Sequence, residues 1–155
     1  MCERFRMWRK GLYPVTVIEE HKRPEGPIDV RKFFQFSGAA KFDSPDAALN
    51  WVQGRVQYRP EGNGQDFWKY PAETLTDGWG DCEDGAILLA NLLVASGFKD
   101  VFVAVFGQHV VVLHNWKILD WTNPNATTPA ISTVWYLWNQ KQAYTTKEHV
   151  KEWKR

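Results

Sequence analysis

The stretch GWGDCEDGAILLANLLVASG, residues 78–97, decides the fold of this chain. Asp81 is a good helix N-cap, and Asp84 falls in the first turn, where the helix dipole favours negative charge. The residues from 86 to 94 place apolar side chains on every face of the predicted helix, which is typical of a buried helix. The sequence therefore predicts a central, buried helix that begins at Cys82 and carries a thiol at its N-terminus.

Three strands are predicted after this helix, and they bring a histidine close to an aspartate. The runs 101–106 and 109–114 are strand-like, and the two residues between them begin with glycine, which suits a type II′ turn. A second two-residue turn at His114 and Asn115 would place His109 directly opposite Asp120, with both side chains on one face. A longer loop with a different register is the alternative.

The rest of the chain completes an α+β pattern. Residues 43–60 are predicted to form a helix that Ser44 caps and Pro60 ends, and a turn of helix is predicted at 72–76. Residues 132–146 resemble a hairpin that turns at Asn139 and Gln140, and a short charged helix is predicted at 147–155, whereas residues 1–41 show no strong period. Helices followed by a meander of antiparallel strands indicate an α+β fold, with the cysteine helix against the sheet.

Composition excludes several classes of protein. The chain has 155 residues, which fits one domain, and its 19 Lys and Arg balance 18 Asp and Glu, so no bulk charge favours nucleic acid or a membrane. No apolar run reaches the length of a membrane span, and we find no signal peptide. The cysteines are Cys2 and Cys82, for which a framework disulfide is not expected. We expect a reducing, cytoplasmic location, which includes the cytoplasm of a host cell.

The thiol, the histidine and the aspartate together indicate nucleophilic catalysis. A cysteine reacts as the thiolate, and a helix N-terminus or a histidinium lowers its pKa from about 8.5. His109 can take the proton of Cys82, and Asp120 can orient the imidazole as the third member of a triad. The alternative is that Cys82 is a small packing residue of a buried helix.

Three carboxylates surround the thiol and oppose its ionisation. Asp81, Glu83 and Asp84 raise the pKa of Cys82 if they lie close to it. A bound cation would offset them, and calcium accepts several oxygen ligands in irregular geometry. The sequence has no calcium-loop pattern, so these residues are candidates by type alone.

Three segments resemble the transglutaminase-like superfamily, and most closely the bacterial transglutaminase-like cysteine proteinases. They are WKYPAETLTDGWGDCEDGAILLANLLVASG at 68–97, GQHVVVL at 107–113 and ILDWT at 118–122. The resemblance covers residues 45–125 and implies a single transglutaminase-like domain over residues 1–155, in which 1–40 and 130–155 are unassigned extensions.

The resemblance implies a papain-like α+β core in which Cys82 is the nucleophile, His109 the base and Asp120 the orienting residue. It also implies an oxyanion hole formed by the backbone N–H of Cys82 and one upstream side chain. The candidates for that side chain are Gln53, Gln57, Gln65, Trp51 and Trp79. Some members depend on calcium, which makes Asp81, Glu83 and Asp84 candidate ligands. Gly85 departs from related motifs, which often carry a larger residue there.

The expected function is acyl transfer by a cysteine peptidase or amidase that hydrolyses a peptide or isopeptide bond. The alternatives are a protein-glutamine transglutaminase or deamidase, a glycan-amide hydrolase, and a non-catalytic binding or structural module. The expected partner is a protein or peptide substrate, with no nucleic acid and no membrane. No cofactor is required by this chemistry, calcium is a candidate, and the oligomeric state is left open.

Overall fold

The structure is a computed structural model, and it describes residues 3–16, 18–20, 23–36, 38, 41–60 and 67–146. The α-helices are α1 (Glu3–Arg9), α2 (Pro45–Arg55), α3 (Pro71–Asp77) and α4 (Cys82–Ala95). The strands are β1 (Leu12–Val15), β2 (Glu19–Glu20), β3 (Ile28–Asp29), β4 (Gln57–Tyr58), β5 (Trp79–Gly80), β6 (Val101–Phe106), β7 (His109–His114), β8 (Lys117–Leu119), β9 (Tyr136–Trp138) and β10 (Ala143–Thr146). Single 3-10 turns lie at Val30–Phe33 and Ile131–Thr133.

A six-stranded antiparallel sheet, in the order β1-β10-β9-β6-β7-β8, supports the molecule. Alternate residues of β6 and β7 face opposite sides, as the pleat requires. Val103 and Val112 belong to the core that α4 shares, whereas Ala104 and Val111 belong to a second core beneath the sheet. This confirms the predicted α+β fold, with the cysteine helix packed on an antiparallel sheet.

Helix α4 begins at Cys82 as predicted, and every side chain from residue 82 to residue 93 is buried. Asp81 caps it by accepting a hydrogen bond from the backbone N–H of Cys82, and the side chain of Asp84 closes a capping box. At the start of α2, the hydroxyl of Ser44 accepts from the N–H of Ala47 at 3.1 Å. The N-termini of both helices are therefore set by capping residues that can be recognised in the sequence.

Three predicted details of the sheet are wrong. The second hairpin turns at Asn115 and Trp116, both with positive φ as a type I′ turn requires, so that Leu113 pairs with Ile118. The strands are not a simple meander, because β9 pairs with β6 rather than with β8. The last hairpin has a four-residue loop, residues 139–142, because the side-chain oxygen of Asn139 accepts two backbone N–H groups within it.

The first forty residues contribute more structure than their weak periodicity indicates. Strand β1 forms one edge of the sheet by pairing with β10, and α1 packs close to β1. The buried guanidinium of Arg23 binds the carboxylate of Glu73 and the carbonyl of Trp68, which ties this region to α3. The helix predicted at 147–155 lies outside the described residues, as does Cys2. None of the described helices has the length and apolar composition of a membrane span.

Candidate active site

The thiol of Cys82 lies where the first turn of α4 meets β7. The side chain is 8% exposed, and its sulfur donates a hydrogen bond to a Glu83 carboxylate oxygen at 3.3 Å. The sulfur also accepts from the backbone of Val110, which is the residue after His109. The nucleophile predicted from sequence is thus held against the strand that carries the predicted base.

His109 and Asp120 form a close pair. The Nε2 atom of His109 lies 2.6 Å from a carboxylate oxygen of Asp120, and the other carboxylate oxygen accepts from the backbone N–H and the hydroxyl of Thr122. The actual register of β7 and β8 is shifted by two residues from the predicted one, so Val111 is the residue opposite Asp120 if the pairing continues. A shift of two keeps both side chains on the same face, so Asp120 reaches His109 diagonally.

The pairing shifts both pKa values in the direction of an ion pair. The hydrogen bond with Asp120 raises the pKa of His109, although partial burial opposes this. Burial would raise the pKa of Asp120, but the hydrogen bonds from His109 and Thr122 outweigh it and lower the pKa. The imidazole is therefore oriented and its protonated form is stabilised.

The pKa of Cys82 moves opposite to the direction predicted from its helix position. Burial raises the pKa of the thiol, and the carboxylates of Glu83 and Asp81 raise it further, whereas the backbone of Val110 lowers it. The helix dipole does not overcome a buried sulfur that donates to an adjacent carboxylate. In this state the thiol keeps its proton.

The acidic residues divide into two kinds. One ligand atom from each of Asp81, Cys82 and Glu83 lies within 4.8 Å of the other two, which is a grouping that can hold a metal ion. Asp84 is fully buried and faces the protein, where its oxygens accept from the backbone N–H groups of Lys69 and Asp81. Carboxylate oxygens suit calcium, whereas a thiol does not, so Asp81 and Glu83 are the residues that fit this ion.

The predicted oxyanion hole consists of the backbone N–H of Cys82 and one upstream side chain, and the N–H and the described candidate side chains are engaged in other contacts. The backbone N–H of Cys82 donates to Asp81 at 2.7 Å, so this bond must break before the N–H can bind an oxyanion. Among the candidate side chains, Gln53 donates to the carbonyl of Trp121 at 3.1 Å. The Trp79 ring packs under the ammonium of Lys69, whose Nζ lies 3.2 Å from its centroid.

The remaining candidates are engaged elsewhere or not described. The side-chain oxygen of Gln57 accepts from the guanidinium of Arg59. The Trp51 ring packs edge-on against Phe42 and beneath the guanidinium of Arg55. Gln65 lies outside the described residues.

Gly85 makes room for Trp121. A Cβ atom at Gly85 would overlap the indole ring, whose Nε1–H donates to the carbonyl of Cys82 at 2.9 Å. The glycine noted in the sequence therefore permits a direct link between the segment after β8 and the nucleophile. Trp121 follows Asp120, so the same link helps to position the histidine partner.

Tyr58 is a site residue that the sequence analysis missed. Its ring packs edge-on against Trp121 with centroids 5.9 Å apart. Burial raises the pKa of its phenol, and the carboxylate of Asp81, which accepts a hydrogen bond from the phenol, raises it further. The helix predicted as far as Pro60 includes Tyr58, but this prediction is wrong at its end, because the helix stops at Arg55 and Tyr58 lies in β4. The pairing of β4 with β5, directly before Asp81, brings Tyr58 to the site.

Two cavities are lined in part by the segment from Asp120 to Pro124, and Thr122 lines both. One, of about 410 Å³, has His109 and Asp120 in its wall together with apolar residues of β6, β7, β8 and the loop after them. The other, of about 610 Å³, is lined by Gln53, Val56, Gln57, Tyr58, Trp121, Thr122 and Pro124. A substrate therefore has space both beside the histidine and beside Tyr58.

Solved structures similar to this chain include three forms of LapG from Legionella pneumophila. One LapG structure is 25% identical, has a TM-score of 0.53, and is matched over 72% of this chain and 75% of its own. The fold of this chain is therefore transglutaminase-like. An EGTA-treated form is 22% identical with a TM-score of 0.53, over 73% of this chain and 77% of its own. A calcium-bound form is 24% identical with a TM-score of 0.52, over 69% and 72%. No family model and no curated relative matches the chain.

Proposed function

We propose that this protein is a transglutaminase-like cysteine peptidase that hydrolyses a peptide or isopeptide bond through Cys82, His109 and Asp120. The observation that carries the proposal is the close contact between His109 and Asp120, at 2.6 Å. Val110, the residue after His109 in β7, contacts the sulfur of Cys82 through its backbone. A cysteine that only fills space in the core does not need a histidine–aspartate pair at the neighbouring strand. The 25% identity to LapG over most of both chains supports the same class.

Each of the three residues has a separate role in the proposed reaction. His109 takes the proton of Cys82, and the thiolate attacks the amide carbonyl of the substrate. Asp120 stabilises the imidazolium, which then protonates the leaving amine. Water releases the acid from the acyl-enzyme, with His109 acting as base again. The backbone N–H of Cys82 stabilises the oxyanion once Asp81 no longer occupies it.

Calcium is the cation that we propose for Asp81 and Glu83. Their oxygens converge beside the thiol, and a calcium-bound form of LapG has the same fold. When bound, the ion would supply positive charge next to a sulfur whose ionisation these carboxylates oppose. Asp84 stays a weaker candidate ligand, because its oxygens already accept backbone N–H groups.

One observation favours a non-catalytic binding module as the second candidate. The pKa of Cys82 is raised by burial and by Glu83, which is unusual for a resting nucleophile. The two functions differ in what His109 does to the thiol. A binding module does not need His109 to change the reactivity of Cys82, whereas a peptidase does.

The experiment is the pH dependence of Cys82 alkylation by iodoacetamide, in a Cys2→Ala background with and without calcium. We expect His109→Ala to slow labelling at neutral pH by at least about tenfold, because the base that accepts the thiol proton is lost. In parallel, a quenched-fluorescent peptide library measures turnover, with Cys82→Ser as the inactive control. Labelling that is indifferent to His109, together with no cleavage above Cys82→Ser, would exclude the peptidase.

A further inference from the structure

Strand β4 has one hydrogen-bonding edge that no described strand covers. The backbone N–H groups of Gln57 and Arg59 donate to the carbonyls of Gly78 and Gly80, both at 2.9 Å. In a parallel ladder the residue between two such donors directs its N–H and C=O away from the partner strand. Tyr58 is that residue, and within the described part of the chain β4 pairs with β5 alone.

This edge runs beside the nucleophile. Tyr58 pairs in register with Gly80, two residues before Cys82. Its ring contacts Trp121, whose indole binds the carbonyl of Cys82. The Tyr58 side chain is also 48% exposed and lines the cavity of about 610 Å³. Among the described residues, the outward N–H and C=O of Tyr58 therefore have no strand partner, and they lie at a cavity whose wall includes Trp121, the residue that binds the carbonyl of Cys82.

The chemistry of the proposed reaction assigns the two cavities to opposite sides of the scissile bond. His109 must deliver a proton to the leaving amine, so the cavity with His109 in its wall belongs to the leaving-group side. The cavity with Tyr58 and Trp121 shares only Thr122 with the first cavity, and His109 does not line it. This second cavity is the one available to the acyl part of the substrate.

We propose that the acyl side of the substrate is an extended peptide that adds to β4 and forms main-chain hydrogen bonds with the N–H and C=O of Tyr58. The inference rests on the proposed function and specifies its substrate class. Strand addition to an open edge obtains affinity from backbone groups and selectivity from pockets for alternate side chains. The cavity wall carries amide, hydroxyl and aromatic groups but no charged side chain, so an uncharged substrate side chain fits it.

The test uses peptidyl vinyl sulfones, in which a thiol adds across the double bond and labels the enzyme without turnover. In the Cys2→Ala background we would compare a parent tripeptide reagent with three versions, each N-methylated at one amide. One N–H of an extended peptide faces the carbonyl of Tyr58 while its neighbours face away. We expect N-methylation at that one position to lower the second-order labelling rate by at least tenfold, and at the adjacent positions by less than threefold.

A variant pair tests the same contact from the protein side. Tyr58→Pro removes the outward N–H but leaves the N–H groups that bind β5. Tyr58→Ala loses the same aromatic ring but keeps the N–H, so it is the matched control. Each variant's iodoacetamide rate corrects for any change in the reactivity of Cys82 itself. We expect the ratio of the peptidyl rate to the iodoacetamide rate to be at least tenfold lower in Tyr58→Pro than in Tyr58→Ala. If Tyr58→Pro does not fold, the N-methyl series on the unaltered edge decides.

The outcomes separate the inference from the function on which it rests. Equal labelling by all N-methylated reagents, or equal loss at every position, overturns strand addition while His109-dependent alkylation still supports the peptidase. Failure of both the vinyl sulfones and iodoacetamide to label Cys82 in a His109-dependent way overturns both. A charged side chain preferred over an uncharged one at the position nearest the vinyl group overturns the assignment of the cavity.

Discussion

The indole N–H of Trp121 donates a hydrogen bond to the carbonyl oxygen of Cys82 at 2.9 Å, across a gap that only a glycine leaves open. The residue that would close the gap is Gly85, one turn into the cysteine helix. Trp121 is 4% exposed and follows Asp120 directly. One buried contact thus couples the position of the nucleophile to the position of the carboxylate that orients the base.

We predict that Gly85→Ala destabilises the protein by about 1–3 kcal/mol, because the new methyl group overlaps the indole of Trp121. Urea unfolding at pH 7 measures the change. Gly54→Ala is the matched control, since Gly54 lies in α2 and a Cβ there has open space. The control should be neutral or stabilising by about 0.5–1 kcal/mol. An equal effect of the two substitutions would show that Trp121 moves aside without cost.

We predict that Asp120→Asn lowers the pKa of His109 and reduces kcat/KM by at least about 100-fold, because the imidazolium loses its anionic partner. Proton NMR of the imidazole follows the titration directly. Thr122→Val is the control, since it removes one hydrogen bond to Asp120 but leaves the carboxylate beside His109. An unchanged titration of His109 in Asp120→Asn would remove Asp120 from the site.

The same pair predicts how stability depends on pH. The pKa of His109 is raised above 6.5, so its contribution is complete below that value and is lost as pH rises through the folded pKa. The pKa of Asp120 is lowered below 3.8, so its contribution is complete above that value and is lost as pH falls through the folded pKa. The gap in unfolding free energy between wild type and Asp120→Asn should therefore be widest between pH 4 and 6.5. Urea unfolding at pH 5 and pH 9 tests this, and a wider gap at pH 9 would contradict it.

Local chemistry explains which parts of the fold the sequence reveals. The cap at Asp81, the apolar helix after it and the turn at Gly107 each depend on a few neighbouring residues, and the structure has all three. The turn at Asn115 and Trp116 was assigned one residue too early, because positive φ at a tryptophan is not a pattern that sequence favours. The predicted contact between His109 and Asp120 is present despite that error, because the strand register shifts by an even number of residues and both side chains stay on one face.

Long-range pairing explains what the sequence did not reveal. β1 and β10 are more than 120 residues apart, and neither carries a signal for the other. Tyr58 reaches the site through a two-residue strand whose side chains are both exposed, so no burial pattern indicates it. The direction of the Cys82 pKa shift depends on how deeply the sulfur is buried and on the side-chain rotamer of Glu83, neither of which is written in the motif.

We predict that Glu83→Gln lowers the pKa of Cys82, because it removes a negative charge beside the thiol and leaves only a neutral, weaker acceptor for the thiol proton. The midpoint of the iodoacetamide rate against pH, in the Cys2→Ala background without calcium, should move to lower pH. Asp46→Asn, a one-charge change in the first turn of α2, should leave the midpoint in place. A midpoint that rises in Glu83→Gln would mean that this carboxylate favours the thiolate.

We predict that calcium binds through Asp81 and Glu83 and that either Asp81→Asn or Glu83→Gln weakens binding by at least about tenfold, since each removes a charged oxygen ligand from a small cluster. Calorimetric titration of chelator-treated protein measures the affinity. The melting temperature should also rise with calcium, because a ligand that binds only the folded state stabilises it by about 2.7 kcal/mol at 100 times its Kd. Magnesium, which prefers stricter octahedral geometry, is the ion control, and Asp46→Asn is the protein control. Calcium affinity that persists in the double variant would place the ion elsewhere. No binding at millimolar calcium would leave the two carboxylates as a constraint on the thiol alone, and the lower thiol pKa expected for Glu83→Gln would then need no metal to explain it.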